Sequence, residues 1–301
     1  MKKKILIIGG TGFIGFNLIN LLKKKKYEIV SVSKNRLTKK RVQNIKYIFF
    51  DFTKRKNFEA LDKYNFDIVI NLGGNVDHFN KKSTISSQFI SVKNLIDYFK
   101  YKKIKIFIQI GSCAEYGVSV SPQKEKNNCK PKLIYAKTKL RATKYVQKFF
   151  KKKLINGIIL RLYQVYGPHQ SSNRFIPIIV KKCLMDKTYD CHNRGVYRDF
   201  LYIDDFLKLL IKIFNKKNLD QISGKIYNVG YGKPLDLNLV AKKIKKLCKG
   251  GSQSKKKVKL RLDEPKIIYP NTRLVKKVFN WKPNTKFEIG LKKTINFYKN
   301  A

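Results

Sequence analysis

The sequence predicts an α/β protein, a doubly wound parallel sheet with a smaller α/β domain interleaved with its end. Three observations carry this. Short apolar runs alternate with segments of helical period, a glycine-rich turn follows the first run, and the rhythm changes after Gly167. The runs Ile5 to Ile8, Glu28 to Ser33, Tyr47 to Phe50, Ile68 to Asn71, Ile104 to Ile110 and Asn156 to Arg161 predict six parallel strands. Between them, apolar positions recur at helical spacing over about 13 to 25, 84 to 101 and 134 to 153, which supplies crossover helices. Beyond Gly167 the strands shorten, Pro177, Pro234, Pro265 and Pro270 interrupt the pattern, and Lys249 to Lys257 reads as a loop. Residues 1–166, rejoined by 196–230, are expected to form the larger domain, and 167–195 with 231–301 the smaller one.

Composition excludes several classes. The 301 residues are 43% hydrophobic, with 20 Phe and 17 Tyr, enough to bury a core and too apolar for disorder. Five cysteines (Cys113, Cys129, Cys183, Cys191, Cys248) make no Cys-x-x-Cys pair, and His78, His169 and His192 make no ligand spacing. Reduced thiols in a cytoplasm, with no structural zinc, are the expectation. The apolar run after MKKK is four residues long, too short for a signal peptide, and no run suits a membrane span. The 68 Lys and Arg against 19 Asp and Glu give a net charge of +49. Those lysines run from Lys2 to Lys299 instead of gathering with aromatic or Gly-rich segments, so they read as a solvated surface and not as a specific nucleic-acid module. Non-specific attraction of polyanions is still implied.

The segment Gly9 to Gly15, GGTGFIG, lies between the first strand and the first helix. Glycine there serves the tight turn, the approach of backbone to a pyrophosphate and close helix–strand packing, and the helix N-terminus offers N–H groups to phosphate. This is the context of a Rossmann dinucleotide site, with Gly9, Gly12, Phe13, Ile14 and Gly15 as its residues. An NAD site calls for an acid roughly 20 residues on, for the ribose 2′-hydroxyl. Between Glu28 and Asp51 there is none, and strand two ends in Ser33, Lys34, Asn35, Arg36. Lys34 and Arg36 suit a 2′-phosphate, so NADP(H) is favoured and NAD(H) stays open.

The helix over 134 to 153 opens with Tyr135-Ala-Lys-Thr-Lys139, which puts the phenol and the ammonium one turn apart on one face. Tyr98/Lys102 and Tyr101/Lys105 share the spacing, yet only Tyr135/Lys139 follows the strand that delivers Ser112 to the carboxyl edge of the sheet. At this point the chain resembles an extended short-chain dehydrogenase/reductase of the NAD-dependent epimerase/dehydratase family. The resemblance runs through GGTGFIG, GSCAEYG (Gly111 to Gly117), YAKTK, LRLYQVYGP (Leu160 to Pro168), RDFLYIDD (Arg198 to Asp205), YNVGYGKP (Tyr227 to Pro234) and FNWKP (Phe279 to Pro283). It implies a nucleotide-diphosphate sugar as substrate, Tyr135 as acid/base, Ser112 as its hydrogen-bonding helper, and Lys139 on the nicotinamide ribose. A unit charge at ~4 Å and effective dielectric ~20 contributes about 4 kcal/mol, enough to bring a phenol toward neutrality. The resemblance further implies Asp51 and Phe52 near adenine, Leu72 and Gly73 along the cofactor, Asn173, Arg174, Arg198 and Arg261 on the substrate, and a homodimer.

Departures from the family pattern narrow the chemistry. Where the dehydratases carry Asp and Glu after the serine, this chain has Cys113 and Ala114. The carbon-epimerising reductases carry a Cys at the position of Ala114 and a later His where Arg174 stands. Gln88 and Gln164 replace an Asn common in the family. Ser112, Tyr135 and Lys139 alone suit hydride transfer, which implies a cytoplasmic NADPH-dependent 4-ketoreductase of a nucleotide-activated 6-deoxy or 3,6-dideoxy hexose for surface polysaccharide. A 4-epimerase holding NAD, and a non-catalytic polyanion-binding protein on a retained fold, are the other readings the sequence permits.

Overall fold

A computed structural model of the chain describes residues 2–25, 27–34, 36, 41–74, 80–256, 258, 260 and 264–300. It begins with strand β1 (Lys3–Ile8), helix α1 (Phe13–Lys23), β2 (Tyr27–Ser33), β3 (Lys46–Phe49) and β4 (Ile68–Asn71). A helical stretch then comprises α2 (Lys81–Ile85), a π-turn over Ser86–Ile90 and α3 (Ser91–Phe99), and leads to β5 (Ile106–Ser112). Helix α4 (Ile134–Lys151) and β6 (Gly157–Leu162) follow. The sequence pattern gave one continuous helix over 84–101. The π-turn interrupts it where the Ser91 N–H reaches back five residues to the Ser86 carbonyl, and Gln88 inside that turn is buried. Strand β5 starts two residues later than the apolar run because Lys105 and Ile106 both donate their N–H to the Asp67 carbonyl, which holds the chain in a turn.

Seven strands, not six, form the main sheet. Beyond the elements just given, the chain continues through β7 (Gln164–Tyr166), α5 (Phe175–Leu184), β8 (Thr188–Tyr189), β9 (Tyr197–Tyr202), α6 (Ile203–Phe214) and β10 (Ile226–Val229), and β10 extends the sheet beside β6. The order is β10-β6-β5-β4-β1-β2-β3, with β1 running parallel to β2 and β4, and β4 to β5. Every residue of β6 and β4 is buried, as expected of strands covered on both faces. Helix α1 presents Gly15, Leu18, Ile19 and Leu22 inward at helical spacing. One side of the sheet is filled by aromatics, with Phe52, Phe58, Phe99, Phe107 and Phe150 each under a tenth exposed. Each such ring stabilises the fold by roughly 1.5–3 kcal/mol.

The structure groups residues 1–117, 129–161 and 211–227 as one compact unit and 118–128, 162–210 and 228–301 as a second. The second unit adds β11 (Pro234–Asp236), α7 (Leu237–Cys248), β12 (Ser252–Gln253), β13 (Ile267–Ile268), α8 (Arg273–Phe279) and α9 (Phe287–Lys299). Its small sheet is centred on β9, which pairs antiparallel with β11 and parallel with β7 and β13. These pairings place 196–210 in the second unit, although the sequence reading joined it to the larger domain. Asp205, fully buried, accepts the N–H groups of Asn284 and Thr285, and its carbonyl accepts the Trp281 indole at 2.9 Å. Trp281 is thereby a core residue.

Candidate active site

The glycine turn is built by backbone contact. Gly9 has φ +80°, and a Cβ there would lie 3.0 Å from the Gly73 nitrogen, so the ends of β1 and β4 meet main chain to main chain. The Leu72 N–H donates to the Ile8 carbonyl and the Gly73 N–H to Asn71 Oδ1, both at 3.0 Å. A Cβ on Gly15 would stand 2.3 Å from the Gly9 carbonyl oxygen, which is why the helix can close on the turn only with glycine. Gly12 caps α1 with no side-chain bond, and the first intrahelical donor is the Phe16 N–H, at 2.8 Å from the Gly12 carbonyl. The N–H groups of Phe13, Ile14 and Gly15 precede it at the positive end of the helix. That cradle fits the pyrophosphate of a dinucleotide.

At the far end of the same edge, Ser33 is buried and accepts the Thr11 hydroxyl at 3.1 Å. Lys34 is exposed, and its ammonium pairs with Asp51 Oδ2 at 3.0 Å. Burial opposes the charge of Asp51, but the Thr53 N–H and hydroxyl together with Lys34 outweigh it and hold the carboxyl below its ordinary range. Phe52 turns into the core, 4.9 Å from the Phe50 ring centroid. Arg36 is exposed, and Asn35 lies outside the described residues.

The candidate reaction centre lies where β5 ends. Ser112 caps a single turn, Cys113–Tyr116, its Oγ accepting the Ala114 N–H at 3.2 Å while Glu115 Oε1 accepts the Ser112 N–H at 2.8 Å. With one acceptor site of Oγ filled from inside the turn, the hydroxyl keeps its proton to donate. Tyr135 is the second residue of α4 and is half-buried. One turn later Lys139 is buried, and its Nζ donates to the Ile110 carbonyl at 3.0 Å. Burial pushes its pKa down from 10.5 to about 8, and the charge of Glu115 works in the opposite direction.

Two residues here escaped the sequence reading. Glu115 is 0% exposed, and its second oxygen accepts Arg161 Nε from β6 at 2.8 Å; Arg161 is 3% exposed. The Ser-x-x-Glu spacing of a capping box was a legible signal for Glu115, whereas Arg161, 46 residues away, gave none. Cys113 is half-buried beside Ser112.

Asn173, Arg174 and Arg198 belong to the second unit. Asn173 is exposed, and Arg174 is half-buried at the start of α5. Arg198 is buried, and three of its N–H groups go to the Tyr197 and Lys266 carbonyls and to Glu264, the last at 2.5 Å. Its observed partners are therefore those of a structural ion pair. Arg261 lies outside the described residues. Among the described residues no group of three His, Cys, Asp or Glu is placed to hold a metal, and no helix is long and apolar enough to cross a membrane.

Comparison with known proteins agrees with this fold. The dTDP-D-glucose 4,6-dehydratase of Dictyostelium discoideum is 29% identical over 270 residues, 80% of this chain but 61% of that protein, so the chain spans less than two thirds of that relative. The CDP-abequose synthase of Salmonella muenchen is 27% identical over 310 residues, 98% of each chain. Among solved structures, the UDP-glucuronic acid 4-epimerase from Bacillus cereus, in complex with UDP-glucuronic acid and NAD, superposes with a TM-score of 0.86 at 22% identity over 99% of each chain, a likeness of fold. The sequence model of the NAD dependent epimerase/dehydratase family matches residues 5–230. With the glycine cradle and the Ser112, Tyr135 and Lys139 positions all inside that span, the chain is an enzyme of the NAD dependent epimerase/dehydratase family.

Proposed function

We propose that this enzyme reduces the 4-keto group of a nucleotide-diphospho-6-deoxy or 3,6-dideoxy hexose with NADPH, for the synthesis of surface-polysaccharide sugars. The observation that carries this reading is the state of the one acid in the turn after β5. Glu115 is fully buried and bound to Arg161 and the Ser112 N–H, so it presents no carboxylate to a sugar carbon. The positions flanking it on the serine side are Cys113 and Ala114. Dehydration needs a base for a carbon-bound proton; ketone reduction needs only a proton donor and an oxyanion partner.

The glycine turn and the first turn of α1 hold the pyrophosphate, and the Lys139 ammonium holds the nicotinamide ribose. When bound, the dinucleotide supplies a hydride. Tyr135 transfers its phenolic proton to the developing alkoxide, Ser112 donates a hydrogen bond to the same oxygen, and the phenol regains its proton from solvent. The 2′-phosphate reading is supported by the absence of an acid at Ser33 and by exposed Lys34 and Arg36, with Lys34 leaving Asp51 to engage the phosphate. Arg174 and Asn173 remain proposed substrate contacts, and a cytoplasmic homodimer is the proposed state.

The experiment supplies 4-keto-6-deoxy nucleotide sugars with different bases, follows loss of NADPH absorbance, and identifies any nucleotide released on denaturation. Turnover of NADPH with exchangeable cofactor supports the reductase. Tightly retained NAD with interconversion of 4-epimers refutes it in favour of an epimerase.

A further inference from the structure

The turn after β5 carries a buried charge cluster that the proposed chemistry does not itself employ. Glu115 and Arg161 are 0% and 3% exposed and bonded at 2.8 Å, the Arg161 guanidinium lies 4.5 Å over the Tyr116 ring, and buried Lys139 sits against the Ile110 carbonyl. This cluster holds three formal charges, one negative and two positive, with Lys139 one turn along α4 from Tyr135. The backbone is shaped for the carboxylate: a Cβ on Gly111 would be 2.6 Å from Glu115 Oε1, so only glycine between Ile110 and Ser112 lets that oxygen reach the Ser112 N–H. We propose that Glu115 is a positioning residue of the reaction centre, fixing Ser112 through its N–H and supplying the counter-charge that Arg161 and Lys139 share.

This rests on the proposed cofactor role of Lys139. An ammonium buried against a single carbonyl loses its proton easily, and a nearby carboxylate counters that loss. The other titratable groups in the cluster are Tyr116, Tyr135 and Cys129, whose thiol is pushed up by burial. Arg161 has a second function, because it neutralises Glu115 well enough for the carboxylate to stay buried. A purely structural Glu115–Arg161 pair would support folding without affecting the protonation of Lys139.

The test measures NADPH binding by nicotinamide fluorescence against pH on the full chain, beside kcat/KM, for the wild type and Glu115→Gln. The amide keeps an oxygen for the Ser112 N–H but removes the negative charge. The alkaline loss of binding is expected to move down by about one pH unit or more, the effect of removing an opposite charge at close range. Because one buried charge without its partner can prevent folding, the double variant Glu115→Gln/Arg161→Met is measured alongside. A folded variant with an unmoved alkaline limb overturns the proposal, and failure of both variants to fold assigns Glu115 to the fold alone and overturns it too. A wild type that binds no nicotinamide nucleotide refutes the cofactor reading instead, so the two failures are distinguishable.

Discussion

Replacing Lys139 by Met tests the electrostatics of the centre without any substrate. Burial lowers the pKa of this ammonium from 10.5 to about 8, against the pull of Glu115. At ~1.4 kcal/mol per pH unit, that is about 3 kcal/mol working against the charged form in the folded protein. The unfolded chain keeps the proton up to its ordinary pKa, while the folded chain releases it at lower pH. Between those two values the unfolded state binds more protons, so folding stability rises with pH. The apoprotein is expected to gain roughly 2–3 kcal/mol from this group between pH 7 and pH 10. Lys139→Met keeps the length of the side chain, removes the charge, and gives up the bond to the Ile110 carbonyl at a cost of about 1–3 kcal/mol. At pH 7 it should therefore be as stable as the wild type or more stable by about 1–2 kcal/mol, and inactive. Urea denaturation at both pH values measures this, because all other titrations cancel in the difference between the two proteins. A difference that stays the same at pH 7 and pH 10 refutes the argument.

Three other outcomes follow from the same geometry. Tyr135→Phe should lower kcat by about 10²–10⁴ and leave NADPH affinity nearly unchanged, as checked by steady-state kinetics beside fluorescence titration. Gly15→Ala puts a Cβ 2.3 Å from the Gly9 carbonyl and 2.6 Å from Gly10 Cα, both main-chain atoms that cannot swing aside. It should cost roughly 1–3 kcal/mol and abolish dinucleotide binding, read by thermal melting with and without NADPH. Lys34→Ala should weaken NADPH about tenfold and spare NADH, since an exposed cation on a phosphate contributes about 1.4 kcal/mol; equal weakening of both would show that Lys34 does not select the cofactor.

The fold was legible because its signals are local. The GGTGFIG segment announces a turn in which Gly9, Gly12 and Gly15 approach backbone and Gly10 packs against the Ser31 and Ile19 side chains, and the short Ile/Val runs mark strands whose ends the structure places within two residues of the expected ones. Strand β10 was missed because Ile226 to Val229 is four residues long and gains its place from β6, far away in sequence. The site was half legible. Ser112, Tyr135 and Lys139 could be proposed from their order along the chain, whereas the partners of each arginine are encoded by no spacing. Arg198 meets Glu264 and the Lys266 carbonyl only once β9 and β13 have paired. The Lys34–Asp51 pair likewise joins the end of β2 to the residue after β3, which gives a lysine read as free for phosphate an acidic partner.

Charge in this protein matters in inverse proportion to its abundance. The +49 excess resides largely in lysines such as Lys152, Lys153 and Lys249, which are exposed and are screened from one another beyond roughly 8 Å at physiological salt. Ion pairs among them, such as Lys102 with Asp62, are exposed to solvent and contribute little to stability. Few charges are buried, where screening is weak, and three of them, Glu115, Arg161 and Lys139, lie within one turn and two adjacent elements. Removing Glu115 alone leaves two cations buried together, whereas removing the Glu115–Arg161 pair leaves one ammonium with only a carbonyl. Both changes remove the charge of Glu115 that holds the Lys139 pKa up, and so favour its neutral amine. On the proposed reading, a single carboxylate locked behind Ser112 has two consequences: it is not free to act as a base for dehydration, and it helps the Lys139 ammonium keep its proton at neutral pH.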